Sequence, residues 1–269
     1  MDNLYHFKRE LEKRHTENTV KSYLYDIQQF LDWLMQDLAY QEQKIQQAHI
    51  EKYKAFLMEE RGLRETTINR KMNAIVKYNQ VMIRQGDQEL LNIEYIKLET
   101  KTDSLEILTL EELTQLRKVF YRIGDAKDTA LFELMIGTGM KVSQLVDLSI
   151  EDIKIYQTSQ GHRLIITLEA DSLKERQLTL GELAEEALIR YMKERPLSES
   201  SKVFLGQRGP ISRSYVNKML LKYGQLAGVD NINPNMIRKT CAHELLRQGY
   251  KKEEILAILG LDNDTKCYF

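Results

Sequence analysis

Apolar residues recur at helical spacing through long stretches of this chain, and only three prolines in 269 residues interrupt them. Val20, Tyr23, Leu24, Ile27, Phe30, Leu31 and Leu34 fall on one face of a helix, with Thr16 placed to cap it and Glu17 in its first turn. A second helix is expected over about 48–60, around Ile50, Tyr53, Phe56 and Leu57, and Gly62 breaks the chain after it. An apolar fraction of 42% and a charged fraction of 29% are ordinary for a globular protein, and the length suits two domains. No apolar run approaches the roughly 18 residues of a membrane span. The first residues lack a signal-peptide apolar segment, so a cytoplasmic protein without membrane association is expected. Cys241 and Cys267 offer neither a disulfide framework nor metal-ligand spacing.

The segment from about Thr66 to Gln85 carries the strongest charge pattern. Ile68, Met72, Ile75, Val76, Met82 and Ile83 form an apolar stripe, and Arg70, Lys77 and Arg84 recur on the opposite side. From Arg61 to Arg84 the basic residues Arg61, Arg64, Arg70, Lys71, Lys77 and Arg84 face only one acidic residue, Glu65. Two readings stand: a solvated helix face, or a helix laid along a nucleic-acid groove with its cations on phosphates. The whole chain has a net charge of −1 and a pI near 6.6, which excludes the footprint of a strongly basic nucleic-acid binder. Any such affinity has to come from local clustering.

Residues from about 95 to 107 are polar and non-periodic and read as a linker, with a domain boundary near 105. Thr109 and Glu112 then have capping-box spacing and open a new helix. Helices are expected over about 110–122, 127–137, 141–147, 182–194, 212–226, 235–248 and 252–259. Strands are expected at Ile153 to Gln157, Leu164 to Leu168 and Gln177 to Leu180, with a turn at Ser159-Gln160-Gly161. The fold class is therefore mainly α with a small β-sheet. The expected domains are 1–100, helical, and 106–269, mixed.

Several fragments, in order, resemble one family. Thr16-Glu17-Asn18-Thr19-Val20 with Tyr23 and Asp26, and Thr66-Thr67-Ile68-Asn69-Arg70-Lys71, resemble its amino-terminal domain. Leu108-Thr109-Leu110-Glu111-Glu112-Leu113 resembles the entry to its second domain. Gly137-Thr138-Gly139-Met140-Lys141-Val142-Ser143-Gln144-Leu145, and Pro234 to Thr240 followed by Ala242-His243-Glu244-Leu245-Leu246 and Leu259-Gly260, resemble its two signature boxes. The family is that of the Xer-like tyrosine recombinases, or phage integrases. The resemblance implies a helical, SAM-like core-binding domain followed by a mixed α/β catalytic domain.

It also implies a chemistry. A tyrosine hydroxyl attacks a DNA phosphodiester, guanidinium forks hold the added negative charge, and a lysine or histidine protonates the leaving oxygen. No metal or cofactor is needed. By register Arg238 is a phosphate fork, and Lys141 stands where the family has an arginine. Lysine keeps the charge but loses the bidentate fork. Asp171 falls at the general-acid lysine, Asn235 at the first histidine of the second box, and Leu261 at the histidine after Leu-Gly. Tyr268 is the candidate nucleophile, displaced by two residues from the usual spacing. Lys174 and Lys239 are candidate DNA contacts and substitute acids, and Arg70, Lys71, Lys77 and Arg84 are candidate DNA contacts of the first domain. Outside the resemblance, Arg238 reads as a helix-surface arginine and Tyr268 as a packing aromatic.

The function so implied is DNA binding in site-specific recombination or integration, with catalysis impaired by the substitutions and an accessory role. One alternative is an active recombinase using Tyr268, and another is a protein-interaction module on the same fold. Implied partners are double-stranded DNA and, on it, another recombinase subunit or further copies of this chain.

Overall fold

The computed structural model describes residues 2–36, 45–86, 93–99, 106–158, 161–168 and 176–261. The chain divides into two compact units, Met1–Asp103 and Ser104–Phe269.

The first unit is built from α1 (Asp2–Glu12), α2 (Glu17–Gln36), α3 (Gln47–Ala55) with a π-helical turn at Phe56–Glu60, and α4 (Glu65–Arg84). The apolar stripes of these helices meet in one core of Phe7, Val20, Ile27, Phe30, Leu34, Ile50, Tyr53, Ile68, Met72 and Ile75. Each such side chain contributes about 1.5–3 kcal/mol on leaving water. Sequence reasoning does not find α1, whose seam is only Leu4, Phe7 and Leu11. Tyr95 to Leu98, read from sequence as linker, belongs to this unit. The Asn69 side chain fastens it, Oδ1 accepting from Tyr95 OH at 2.6 Å and from Leu98 N at 2.9 Å, while Nδ2 donates to Leu98 O at 3.0 Å. Polarity conceals this attachment because hydrogen bonds to the Asn69 side chain carry it.

The second unit begins with α5 (Leu110–Ile123), where Thr109 N donates to Glu112 Oε2 at 2.8 Å and Glu112 N donates to Thr109 Oγ1 at 3.2 Å. There follow α6 (Ala126–Thr138), α7 (Val142–Asp147), β1 (Ile153–Thr158), β2 (Gly161–Leu168), β3 (Arg176–Thr179), α8 (Glu182–Glu194), the short β4 (Leu205–Gly206) and β5 (Gly209–Pro210), α9 (Arg213–Ala227), α10 (Pro234–Arg247) and α11 (Lys252–Leu259). β1, β2 and β3 form an antiparallel sheet in that order, with Ile153 opposite Ile166 and Ile165 opposite Thr179. Leu164, Ile166 and Leu168 alternate into the core.

Helix α6 runs through the middle of this unit and is buried on all sides from Asp128 to Ile136. A helix so placed has to have its charges partnered. Asp128 accepts from Tyr215 OH at 2.5 Å and Tyr223 OH at 2.9 Å. Glu133 accepts from Arg117 through Nε at 2.7 Å and Nη2 at 2.9 Å.

Candidate functional site

Helix α10 opens with Asn233 as its cap, whose Oδ1 accepts from Asn235 N and Met236 N, both at 3.0 Å, and with Pro234 in the first turn. This start fixes which way the helix turns Arg238. The side chain points inward and is 5% exposed. Its Nη1 donates to Gly139 O and its Nη2 to Leu259 O at 2.6 Å. Gly139 caps α6 at φ +60 and Leu259 closes α11, so Arg238 braces the carboxyl ends of two helices, where carbonyl oxygens lack helical partners. Arg238 is therefore not the surface residue that its place on a helix suggests. A side chain at Gly139 would run into Leu259 and Cys241, so the backbone shape and the close approach both require glycine.

The two signature segments do converge. Lys141 lies two residues beyond Gly139, exposed at the start of α7, with its backbone N donating to Gln144 Oε1 at 3.0 Å. Gly260 and Leu261 follow Leu259. Leu261 packs on an apolar cluster of Ala242, Ile255, Leu259 and Leu245. Asn235 is exposed on the first turn of α10, and Lys239 is half-buried. Thr240 is buried and accepts from Leu108 N at 2.9 Å, tying the entry segment of this unit to α10. Burial pushes the Cys241 thiol up to about 12, against an opposing pull from Arg238. Asp171, Lys174 and Tyr268 lie outside the described residues.

Arg176, on β3, is given no site role by register, yet it reaches this site. Its Nη2 donates to Gln144 Oε1 at 3.2 Å and its guanidinium lies against Gly260. Burial first, then the charge of Arg238, pulls its pKa down to about 10, so it stays charged at neutral pH. A basic residue opening a strand whose next inward residue is the buried Leu178 is the available signal.

In the first unit Arg70 and Arg84 are exposed and Lys77 is half-buried. Lys77 Nζ lies 2.9 Å from His15 Nε2 and 5.2 Å from the centre of the Tyr23 ring. Burial, and then the charge of Lys77, holds the His15 pKa below its ordinary value. Lys71 departs from its expected DNA-facing role. It is 5% exposed, with Nζ 3.0 Å from Asp26 Oδ1 and a further bond to Gln29, because helical phase turns position 71 toward α2. Arg70 pairs with the same buried carboxylate while remaining partly exposed.

Fold and site together define a two-unit, mainly helical protein whose second unit gathers guanidinium groups against helix ends. The chain belongs to the phage integrase family: the family model for phage integrases matches residues 106–267, and that for the integrase N-terminal SAM-like domain matches residues 4–86. The tyrosine recombinase XerC of Bacillus pumilus is 27% identical over 96% of this chain and 88% of its own length. The TnP I resolvase of Bacillus thuringiensis is 24% identical over 92% and 87%. Among solved structures, the XerH site-specific recombinase bound to its difH substrate in a pre-cleavage complex matches with a TM-score of 0.75 at 19% identity, over 93% of this chain and 76% of that one. A lambda integrase dimer bound to a COC′ core site matches with a TM-score of 0.73 at 15% identity, over 98% and 95%. At those identities the likeness is one of fold. No described helix is long and apolar enough to cross a membrane.

Proposed function

We propose that this protein binds duplex DNA through its phosphates and is impaired in cleaving and rejoining it, acting as a DNA-binding or accessory member of its family. The observation that carries the impairment is Leu261. The family supplies a hydrogen-bonding histidine at that register, and here a leucine packs on Ala242, Ile255 and Leu259. An apolar side chain offers nothing to a phosphate oxygen. At Lys141 a point charge replaces a bidentate fork, and at Asp171 a carboxylate stands at the register of the leaving-group acid. Catalytic groups that act as a unit lose most of the rate when one is removed, so several losses compound. DNA binding is supported by the XerH and lambda integrase complexes, both captured on DNA, and by the exposed cations Arg70 and Arg84 on α4.

The test is incubation with nicked suicide duplexes carrying recombination sites. The expected result is a mobility shift without a covalent protein–DNA adduct. Robust adduct formation that Tyr268→Phe abolishes would overturn the impairment, and absence of any shift would overturn the DNA-binding reading.

A further inference from the structure

Arg117 and Arg176 present the same edge of the guanidinium, Nε with Nη2, to different company. Arg117 fills it with the Glu133 carboxylate, at 2.7 and 2.9 Å. In Arg176 the Nη2 group donates to a neutral amide oxygen, Gln144 Oε1, at 3.2 Å, and the buried Nε has no partner. No carboxylate pairs with Arg176 among the described residues. A buried charged donor left unmade costs more than a neutral one, and a side-on arginine edge matches two oxygens of a carboxylate or phosphate. The neighbouring charge, Arg238, is of the same sign and adds to the repulsion. Gly260 admits the guanidinium because it has no side chain there, and it does so beside Leu261. One buried and one half-buried guanidinium of like charge, the second with half of its bidentate edge empty, describe an oxyanion site.

We infer that Arg176 is a phosphate-binding residue: its Nε and Nη2 take two oxygens of a DNA phosphate held jointly with Arg238, and Gln144 Oε1 stands in for one of those oxygens when DNA is absent. Strand β3 thereby supplies the second guanidinium fork that Lys141 does not. This rests on the DNA-binding reading above, but the anion site itself is testable without DNA.

The experiment uses the full chain and inorganic phosphate, at constant ionic strength, read by thermal unfolding and by the NMR signal of the Arg176 Nε–H. For the wild type, phosphate raises the melting temperature and shifts that signal to a saturating end-point. In Arg176→Gln the phosphate response disappears, while the phosphate-free melting temperature is unchanged or higher, since a half-buried charge repelled by Arg238 is gone. Gln144→Glu supplies a built-in carboxylate, so it raises the phosphate-free melting temperature and removes the response. On duplex DNA, Arg176→Gln flattens the dependence of log affinity on log salt by about one unit. A merely structural arginine gives the opposite pattern, a lower melting temperature in Arg176→Gln and an unmoved Nε–H signal, and that result would overturn the inference. A phosphate response in a protein that fails to bind duplex DNA keeps the anion site and rejects its DNA ligand. DNA binding without any phosphate response leaves the DNA reading standing and sinks the role of Arg176.

Discussion

Each unit pairs a buried cation with a less buried one, Lys71 with Arg70 and Arg238 with Arg176, and the two pairs are balanced differently. In the first, Lys71 and Arg70 converge on the fully buried carboxylate of Asp26, with Gln29 taking a further bond from Lys71. In the second, Arg238 rests on two backbone carbonyls and Arg176 on a single amide oxygen. Carbonyl and amide oxygens solvate a cation but do not neutralise it. A buried charge closed by a carboxylate is a structural brace, whereas the Arg176 edge, with one amide oxygen on Nη2 and no partner on its buried Nε, stays electrostatically open to an anion. The contrast separates Lys71, which holds the fold, from Arg176, which is available to a phosphate, a distinction that the number of basic residues does not make.

The sharpest way to break this comparison is Asp26→Ala. Removing the carboxylate strands the Lys71 ammonium in the core, and the expected loss is about 3–5 kcal/mol, measured from the urea midpoint. A loss below about 1 kcal/mol, within the range of an exposed ion pair, would mean that this cluster is no more closed than the other. The charge change at Arg176 is expected to leave stability unchanged or higher, so the two variants should move in opposite directions.

A smaller effect tests the exposed stripe. Lys77→Gln and Arg84→Gln together should lower the slope of log DNA affinity against log salt by about one unit for each phosphate no longer neutralised, with little change in fold. Arg70 is best left intact in that experiment, because its partner is the buried Asp26. An unchanged slope would reduce the stripe to a solvated face.

The smallest effect concerns His15. Its folded pKa lies below the ordinary value, so the unfolded chain takes up the proton first. Stability from this group is present above about pH 6.5 and declines as pH falls through it. Lys77→Gln should flatten that decline in chemical unfolding curves between about pH 7 and 5. An identical pH dependence in the variant would remove Lys77 as a cause.

Much of the fold is legible in the sequence because long helices repeat their apolar positions many times. The spans expected from 182 to 194 and from 252 to 259 match α8 and α11, and the Thr109–Glu112 cap opens α5. What escapes has a short or non-periodic signal: α1 with three apolar positions, the two-residue strands β4 and β5, and the Tyr95–Leu98 strap held by the Asn69 side chain. In the site, register picks out the segments around Gly139, Arg238 and Leu259, which the hydrogen bonds of Arg238 join. Register is blind to direction, however. It cannot tell that Arg238 turns inward or that Lys71 is spent on Asp26. It also assigns no role to Arg176, whose significance lies in an empty hydrogen-bonding edge.

Helix α11 is only eight residues long, too short to persist alone in water, and it is docked by Ile255, Leu256 and Leu259 with Arg238 gripping its last carbonyl. Its docking is therefore a local equilibrium that can open without the rest of the unit melting. Each opening dismantles one wall of the arginine site and takes Gly260 away from Arg176. The affinity of the site for an anion is thus scaled by the fraction of molecules in which one short helix is in place, and an anion bound there would in turn hold that helix down.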